Sequence, residues 1–231
     1  MTESLVIFDL DDTLYLERDY ALSGYKAVGA WIRENYGVTD FALTCQELLD
    51  SGRRDRIFDE ALIAHSLDPS PELITQLVAS YRSHTPDIDL APDTALYFAR
   101  CRPGAVFGMI TDGHLQTQKA KVRALGLERA LSKIIFTASF GEGFSKPHPR
   151  AFVAIEDWAA QFGRPLVYVA DNPRKDFVTA RARGWRTIRI ARPERIHHVT
   201  APDAAHEAHD VITSLDTLDA CLGLLFRKER V

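Results

Sequence analysis

The feature that most constrains this fold is a series of five short apolar runs spread along the chain. Apolar runs of four to six residues predict strands that are buried on both faces, as in a parallel sheet. Helix-like segments separate the later runs, and this alternation predicts an open α/β sheet with crossover helices. The five predicted strands are Leu5–Phe8, Ala105–Ile110, Ile134–Thr137, Leu166–Ala170 and Trp185–Ile190.

Helices are predicted between the later strands at Gln116–Leu125, Pro149–Phe162 and Val178–Arg183, each followed by a glycine that can end a helix. The stretch between the first two strands is different, because it is long and mostly helical in pattern. We therefore predict a catalytic core formed by residues 1–14 and 89–231, interrupted by a helical domain at 15–88.

Polar and charged residues follow four of the predicted strands. Asp9, Asp11 and Asp12 follow the first strand, and Thr111-Asp112-Gly113 ends the second. Lys146 follows the third strand, and Asp171 and Asp176 follow the fourth. The carboxyl ends of parallel strands border the ligand crevice of an open sheet, so these residues are predicted to converge on one site.

Such a group of acids needs positive charge nearby. Two carboxylates about 4 Å apart repel by roughly 4 kcal/mol at an effective dielectric near 20. We expect Asp9, Asp11, Asp171 and Asp176 to coexist only with a hard divalent cation and the ammonium of Lys146. Mg²⁺ suits this role because it bridges a few carboxylates to a phosphate while keeping several waters.

The same residues provide the chemistry for cleaving a phosphate monoester. A carboxylate can attack phosphorus and form an aspartyl-phosphate, while the cation and Lys146 neutralise the transferring group. A second carboxyl, two residues from the first, can protonate the leaving alcohol and later activate water. Thr111 can donate a hydroxyl to the phosphate, and the backbone around Gly113 can approach it closely.

The motifs resemble those of the haloacid dehalogenase (HAD) superfamily. Asp9-Leu10-Asp11-Asp12-Thr13 is similar to the first motif, Asp-x-Asp-x-Thr, which is the specific one. Thr111-Asp112-Gly113 is similar to the second motif, and Lys146 stands where the third places its lysine. Asp171 and Asp176 match the acidic fourth motif. The resemblance runs from residue 4 to about residue 215, apart from the helical insert.

This resemblance implies a Rossmann-like sheet of order 5-4-1-2-3 and a helical cap inserted between motifs one and two. It implies Asp9 as the nucleophile and a Mg²⁺ ligand, and Asp11 as the general acid/base with its backbone carbonyl on the metal. Asp171 would be the third protein ligand. Thr13 and Asp176 would support the site, and the phosphate would be bound by Thr111, Asp112, Gly113 and Lys146.

One departure from the family pattern concerns Asp112, which replaces the usual asparagine of the second motif and adds a negative charge. If this side chain faces the phosphate pocket, affinity should suffer, whereas a side chain that turns away would do no harm.

Three other functions compete with phosphatase activity. Asp11 argues against haloacid dehalogenation, whose enzymes lack an acid at that position. A phosphomutase of the same family would need a cap that retains a phosphorylated intermediate and excludes water, which the sequence does not reveal. A catalytically silent binding or regulatory module is the third alternative.

The overall composition favours a small phosphorylated metabolite as the ligand. The chain has 28 Lys and Arg against 32 Asp and Glu, a formal charge of −4, so no general attraction to nucleic acid or to membranes is expected. Cys45, Cys101 and Cys221 lie far apart and predict reduced thiols in a cytoplasmic protein without a signal or membrane segment. The oligomeric state, monomer or homodimer, stays open.

The insert contains a basic cluster, Arg53, Arg54 and Arg56, that could grip a carboxylate or second phosphate of the substrate. The alternative is a solvated helix face on which these arginines pair with Asp55, Asp59 and Glu60.

Overall fold

The computed structural model describes residues 4–101 and 105–225. These residues divide into two compact units, one formed by residues 4–17, 89–101 and 105–225 and the other by residues 18–88. The larger unit holds a six-stranded parallel sheet in the order β3-β2-β1-β4-β5-β6. Its strands are β1 (Leu5–Phe8), β2 (Phe107–Thr111), β3 (Lys133–Phe136), β4 (Leu166–Ala170), β5 (Arg186–Ile190) and β6 (Asp210–Ile212).

The Rossmann-like fold and the sheet order 5-4-1-2-3 are confirmed for the first five strands. Strands β1 and β4 have the predicted bounds. The ends of the other three differ by one or two residues, as at β2, which begins at Phe107 and ends at Thr111. The sixth strand, β6, was not predicted. It pairs in parallel with β5 through only three residues, which is too short for an apolar pattern to reveal.

Helices flank the sheet and also make up the insert. Insert helices are α1 (Glu17–Tyr36), α2 (Phe41–Asp50), α3 (Ile57–Ala64) and α4 (Pro71–Ser83), of which α1 begins at the last residue of the sheet unit. The helices that follow are α5 (Pro92–Arg100), α6 (Leu115–Ala124), α7 (Leu127–Ala130), α8 (Arg150–Ala159), α9 (Phe177–Ala182) and α10 (Leu218–Leu225).

Side chains of β1 alternate between the two faces of the sheet, as a strand requires. Leu5 and Ile7 belong to the core cluster that includes Phe152 of α8. Phe8 points to the other face, where its ring packs edge-on against Tyr97 of α5 with the ring centres 6.2 Å apart. Both faces of β1 are therefore buried, which fixes the strand and the position of the residue that follows it.

Candidate active site

The turn after β1 is held in place by backbone hydrogen bonds and by one unusual residue. The Asp9 N–H donates to the Val169 carbonyl of β4 at 2.9 Å, so the first acid stays attached to the centre of the sheet. Asp12 adopts a left-handed backbone with φ of 51°, which aspartate tolerates better than most residues. Its carboxylate accepts from the Glu17 and Ile196 backbone N–H groups, both at 2.9 Å.

Three buried carboxylates meet where β1 and β4 end. Oxygens of Asp9, Asp171 and Asp176 all lie within 4.8 Å of one another, and each residue is at most 5% exposed. In the described part of the chain this is the one group of three or more acids, histidines or cysteines that could hold a metal ion. The carboxylates offer hard oxygen ligands, so the residues present fit a Mg²⁺ ion.

Lys146 forms ion pairs with two of these acids. The Lys146 Nζ is 2.7 Å from an Asp9 oxygen and 2.8 Å from an Asp176 oxygen, and it also donates to the Tyr168 hydroxyl at 2.9 Å. Burial opposes the lysine's charge, but the Asp176 and Asp9 carboxylates outweigh burial and raise the pKa of Lys146 well above its usual value. Lys146 is therefore a fixed positive charge beside Asp9.

One ammonium does not balance three carboxylates. Burial, reinforced by the Asp176 and Asp9 charges, raises the pKa of Asp171 to about 9. Burial also raises the pKa of Asp9 to about 6, although Lys146 works in the opposite direction. Both carboxyls thus hold a proton more tightly than an ordinary aspartate does. A divalent cation would relieve this crowding and return both groups to their ionised forms.

Asp11 is not one of the trio and contacts α6. Its Oδ1 accepts from the Lys121 Nζ at 2.7 Å and from the Tyr15 hydroxyl in a very short hydrogen bond, and its Oδ2 accepts from the Gln118 amide at 2.9 Å. Burial would raise the pKa of Asp11, but the Lys121 ammonium and these hydrogen bonds lower it below the ordinary value. In this arrangement Asp11 is ionised at neutral pH.

The predicted phosphate-binding segment lies at the end of β2. The buried Thr111 hydroxyl accepts a hydrogen bond from the Gln118 amide at 2.6 Å. Gly113 has a φ of 124°, and an added Cβ would lie 3.2 Å from the Gln118 side chain. Glycine is therefore the residue that this turn accommodates without strain.

The Asp112 carboxylate is occupied by donors from three segments. Its Oδ1 accepts from the Thr137 hydroxyl at 2.8 Å and from the Lys146 backbone N–H at 3.1 Å. Its Oδ2 lies 3.2 Å from the Lys175 Nζ. Burial would raise the pKa of Asp112, but the two lysine charges lower it, so the residue is a carboxylate paired with Lys175.

Comparison with known proteins identifies the family. A family model described as haloacid dehalogenase-like hydrolase matches residues 4–184, well over half of the chain. The chain belongs to the haloacid dehalogenase-like hydrolases.

Two curated proteins resemble this HAD chain at the same level of identity. The phosphoserine phosphatase of Thermus thermophilus is 28% identical over 140 residues, which are 60% of this chain and 55% of that protein. The chain thus spans about half the length of that relative. The glyceraldehyde 3-phosphate phosphatase of Methanocaldococcus jannaschii is 28% identical over 195 residues, which are 80% of this chain and 83% of that protein.

Solved structures of other HAD proteins share the fold. A 2-haloacid dehalogenase from Pseudomonas syringae has a TM-score of 0.62 at 23% identity, covering 96% of this chain and 99% of its own. The HAD-hydrolase YfnB from Bacillus subtilis, bound to magnesium, has a TM-score of 0.62 at 16% identity, covering 96% and 100%. At these identities the likeness concerns the fold alone.

The insert arginines of this HAD protein have partners within their own unit. Arg53 pairs with Glu60 at 3.0 Å and Arg56 pairs with Asp59 at 3.2 Å, while the Arg54 guanidinium donates to the Leu49 carbonyl at 2.8 Å. The ion pairs of Arg53 and Arg56 agree with a solvated surface, but the predicted helix face is wrong, because all three arginines lie in the loop between α2 and α3. A role of the arginines in substrate selection stays a prediction.

Sequence reasoning missed several residues that contact the predicted ones. They are Tyr15, Gln118, Lys121, Thr137, Tyr168 and Lys175. Two of them carried a usable signal. Gln118 and Lys121 are three residues apart on the helix after Gly113, a spacing that places side chains on one helical face.

Proposed function

We propose that this HAD hydrolase cleaves phosphate monoesters of small metabolites in a Mg²⁺-dependent reaction. The observation that carries the proposal is the trio of buried carboxylates with Lys146 against two of them, 2.7 Å from Asp9 and 2.8 Å from Asp176. The three carboxylates repel one another and would be stabilised by a bound cation. That cation and the lysine would together attract a phosphoryl group.

The metal would be held by the side chains of Asp9 and Asp171 and by the backbone carbonyl of Asp11, with Asp176 in support. When bound, Mg²⁺ supplies positive charge that polarises the phosphoryl oxygens and keeps the acids ionised. Asp176 already accepts from the Asn172 N–H at 3.0 Å and pairs with Lys146, so it positions the lysine. Thr13 is buried in the turn that presents Asp11.

In the first half of the reaction, an Asp9 carboxylate oxygen attacks phosphorus and the ester oxygen leaves. The products are an aspartyl-phosphate and an alcohol, whose oxygen takes a proton from Asp11. Lys146 stays beside the charge that develops on the phosphoryl group. Thr111 and the amides around Gly113 hold the phosphate oxygens.

In the second half, Asp11 removes a proton from water, and the resulting hydroxide attacks the aspartyl-phosphate and releases inorganic phosphate. The contact between Asp11 and Lys121 at 2.7 Å favours the ionised form that this base step needs. The acid step needs the protonated form, which Asp11 regains each time it takes a proton from water. The helical insert serves as the cap that selects the alcohol part of the substrate.

The curated relatives suggest which esters to test first. Phosphoserine and glyceraldehyde 3-phosphate, named for the two relatives, are three-carbon monoesters, and sugar, nucleotide and polyol phosphates extend the panel. We expect release of inorganic phosphate that requires Mg²⁺ and disappears with EDTA. A panel without turnover, despite Mg²⁺ binding, would instead support the silent binding module.

A further inference from the structure

One charged pair at the site, Asp112 with Lys175, has no role in the reaction described above. Asp112 lies at the end of β2, and Lys175 precedes Asp176 after β4. The pair therefore joins two segments that are 63 residues apart in the chain. Its carboxylate receives two further hydrogen bonds, from the Thr137 hydroxyl and the Lys146 N–H, and these fix its orientation.

Lys175 also acts on the acids that hold the metal. The Lys175 charge lowers the pKa of Asp9 and of Asp171. The Lys175 ammonium is therefore close enough to act electrostatically on both carboxylates. The Lys175 side chain is 33% exposed and that of Asp112 is 14% exposed. A fully exposed pair would add little, but this pair lies beside three buried carboxylates.

We propose that Asp112 and Lys175 act as one compensated pair, in which Lys175 is the positioning residue that neutralises Asp112 at the phosphate pocket. This inference rests on the proposed phosphatase function. Without Lys175, the Asp112 carboxylate would repel an incoming phosphate. Without Asp112, the Lys175 ammonium would attract it. Because the two charges cancel, the affinity of the pocket for phosphate is set by the other residues.

The test is a double-mutant cycle on phosphate binding. Inorganic phosphate is titrated calorimetrically in the presence of Mg²⁺ into the wild type, Lys175→Met, Asp112→Asn and the double variant. One uncompensated charge near a phosphate in a partly hydrated site changes affinity by about tenfold. We expect Lys175→Met to weaken binding by about tenfold, Asp112→Asn to strengthen it several-fold, and the double variant to return close to the wild type.

Steady-state kinetics gives a second readout that a merely structural role would not move. The KM for a phosphate ester should follow the phosphate affinity in all four proteins, while kcat changes less. Lys175→Arg keeps the charge and should rescue the affinity. Lys119→Met, at an exposed position on α6, is the matched control and should leave both quantities unchanged.

The outcomes separate this inference from the proposed function. A wild type that neither binds phosphate nor releases it from any ester would overturn both. If the wild type binds phosphate and releases it from an ester, but the double variant binds phosphate as weakly as Lys175→Met, only the compensation between Asp112 and Lys175 is overturned. If Lys175→Met does not fold, Asp112→Asn decides, because weaker phosphate binding in that variant contradicts the compensation.

Discussion

Two charged clusters in the described part of the sheet unit are built in opposite ways. Around Arg192, every charge has a partner: its guanidinium makes two hydrogen bonds to Asp93 at 2.9 and 3.0 Å and two to the Thr13 carbonyl. Asp93 in turn accepts from the Ser214 hydroxyl and the Leu215 N–H. In the trio of Asp9, Asp171 and Asp176, one lysine faces three carboxylates.

The pKa shifts of the two clusters follow from this difference. Burial alone would raise the pKa of Asp93, but Arg192 and the hydrogen bonds lower it below its usual value. The pKa of Asp171 is raised to about 9, because burial and the neighbouring carboxylates act in the same direction. Removing one partner from a balanced buried cluster costs stability, whereas an unbalanced cluster marks a candidate ligand site.

The largest expected effect is a loss of activity without a loss of stability when an acid of the trio is replaced. Asp9→Asn removes the proposed nucleophile, so phosphate release should fall by at least about 10³-fold. The same substitution removes one of three repelling carboxylates, so the metal-free variant should unfold at the same temperature as the wild type or higher. Phosphate release and thermal unfolding are measured on the same samples. An Asp9→Asn protein with near wild-type turnover would refute the covalent mechanism.

Arg192→Met tests the balanced cluster and should have the opposite profile. Removing one partner of a buried ion pair leaves Asp93 uncompensated, and the free energy of unfolding should fall by about 3 kcal/mol. Urea denaturation measures this loss. The matched control is Arg183→Met, which breaks an exposed pair with Glu156 and should cost under about 1 kcal/mol. Equal losses in the two variants would contradict the contrast between the clusters.

Lys121→Met tests how Asp11 is held. Lys121 lies 2.7 Å from Asp11, the proposed acid/base, so its loss should lower kcat by about tenfold for alkyl phosphates, whose leaving oxygen needs a proton. p-Nitrophenyl phosphate has a leaving group that needs little protonation and should be affected much less. Lys119→Met on the same helix is the control. Equal losses on both substrates would argue against a role through Asp11.

The smallest expected effect is the pH dependence of stability without metal. Because the pKa of Asp171 rises from 3.8 in the unfolded chain to about 9 in the fold, the folded state retains a proton that the unfolded state releases. Without metal, the contribution of Asp171 to the free energy of unfolding therefore falls as the pH rises from about 4 to about 9.

Thermal unfolding with EDTA or with Mg²⁺ at pH 5.5 and at pH 8.5 measures this effect. We expect Mg²⁺ to raise the unfolding temperature by a few degrees more at the higher pH, because it stabilises the ionised carboxylates. Asp171→Asn should remove most of the difference between the two pH values. If Mg²⁺ raised the unfolding temperature equally at both pH values, the claim that repulsion among the carboxylates destabilises the metal-free protein would be contradicted.

Much of the fold could be predicted from the sequence because the central strands are buried on both faces and therefore consist of continuous apolar runs. Leu5–Phe8 has this property over its whole length. β6 escaped prediction because its three residues, Asp210–Ile212, carry one acid and one exposed valine and pair along one edge only. Within the described residues, no helix is long and apolar enough to cross a bilayer.

The acids of the site could be predicted because they follow strands whose ends share one edge of the sheet. Their orientations could not, since they depend on residues from distant segments. Asp11 turns towards α6 because Lys121 lies 110 residues further along the chain yet next to it in space. Likewise, the sequence left open whether Asp112 faces the pocket, and its bonds to Thr137 and Lys175 depend on the packing of three strand ends.

Calorimetric titration of Mg²⁺ into the wild type and into Asp171→Asn tests the central claim most directly. If the unbalanced trio is a metal site, the wild type should bind one Mg²⁺ with release of protons, and Asp171→Asn should lose at least about tenfold in affinity. Equal Mg²⁺ affinity in the two proteins would contradict the account, because the ion would then be held somewhere other than among these carboxylates.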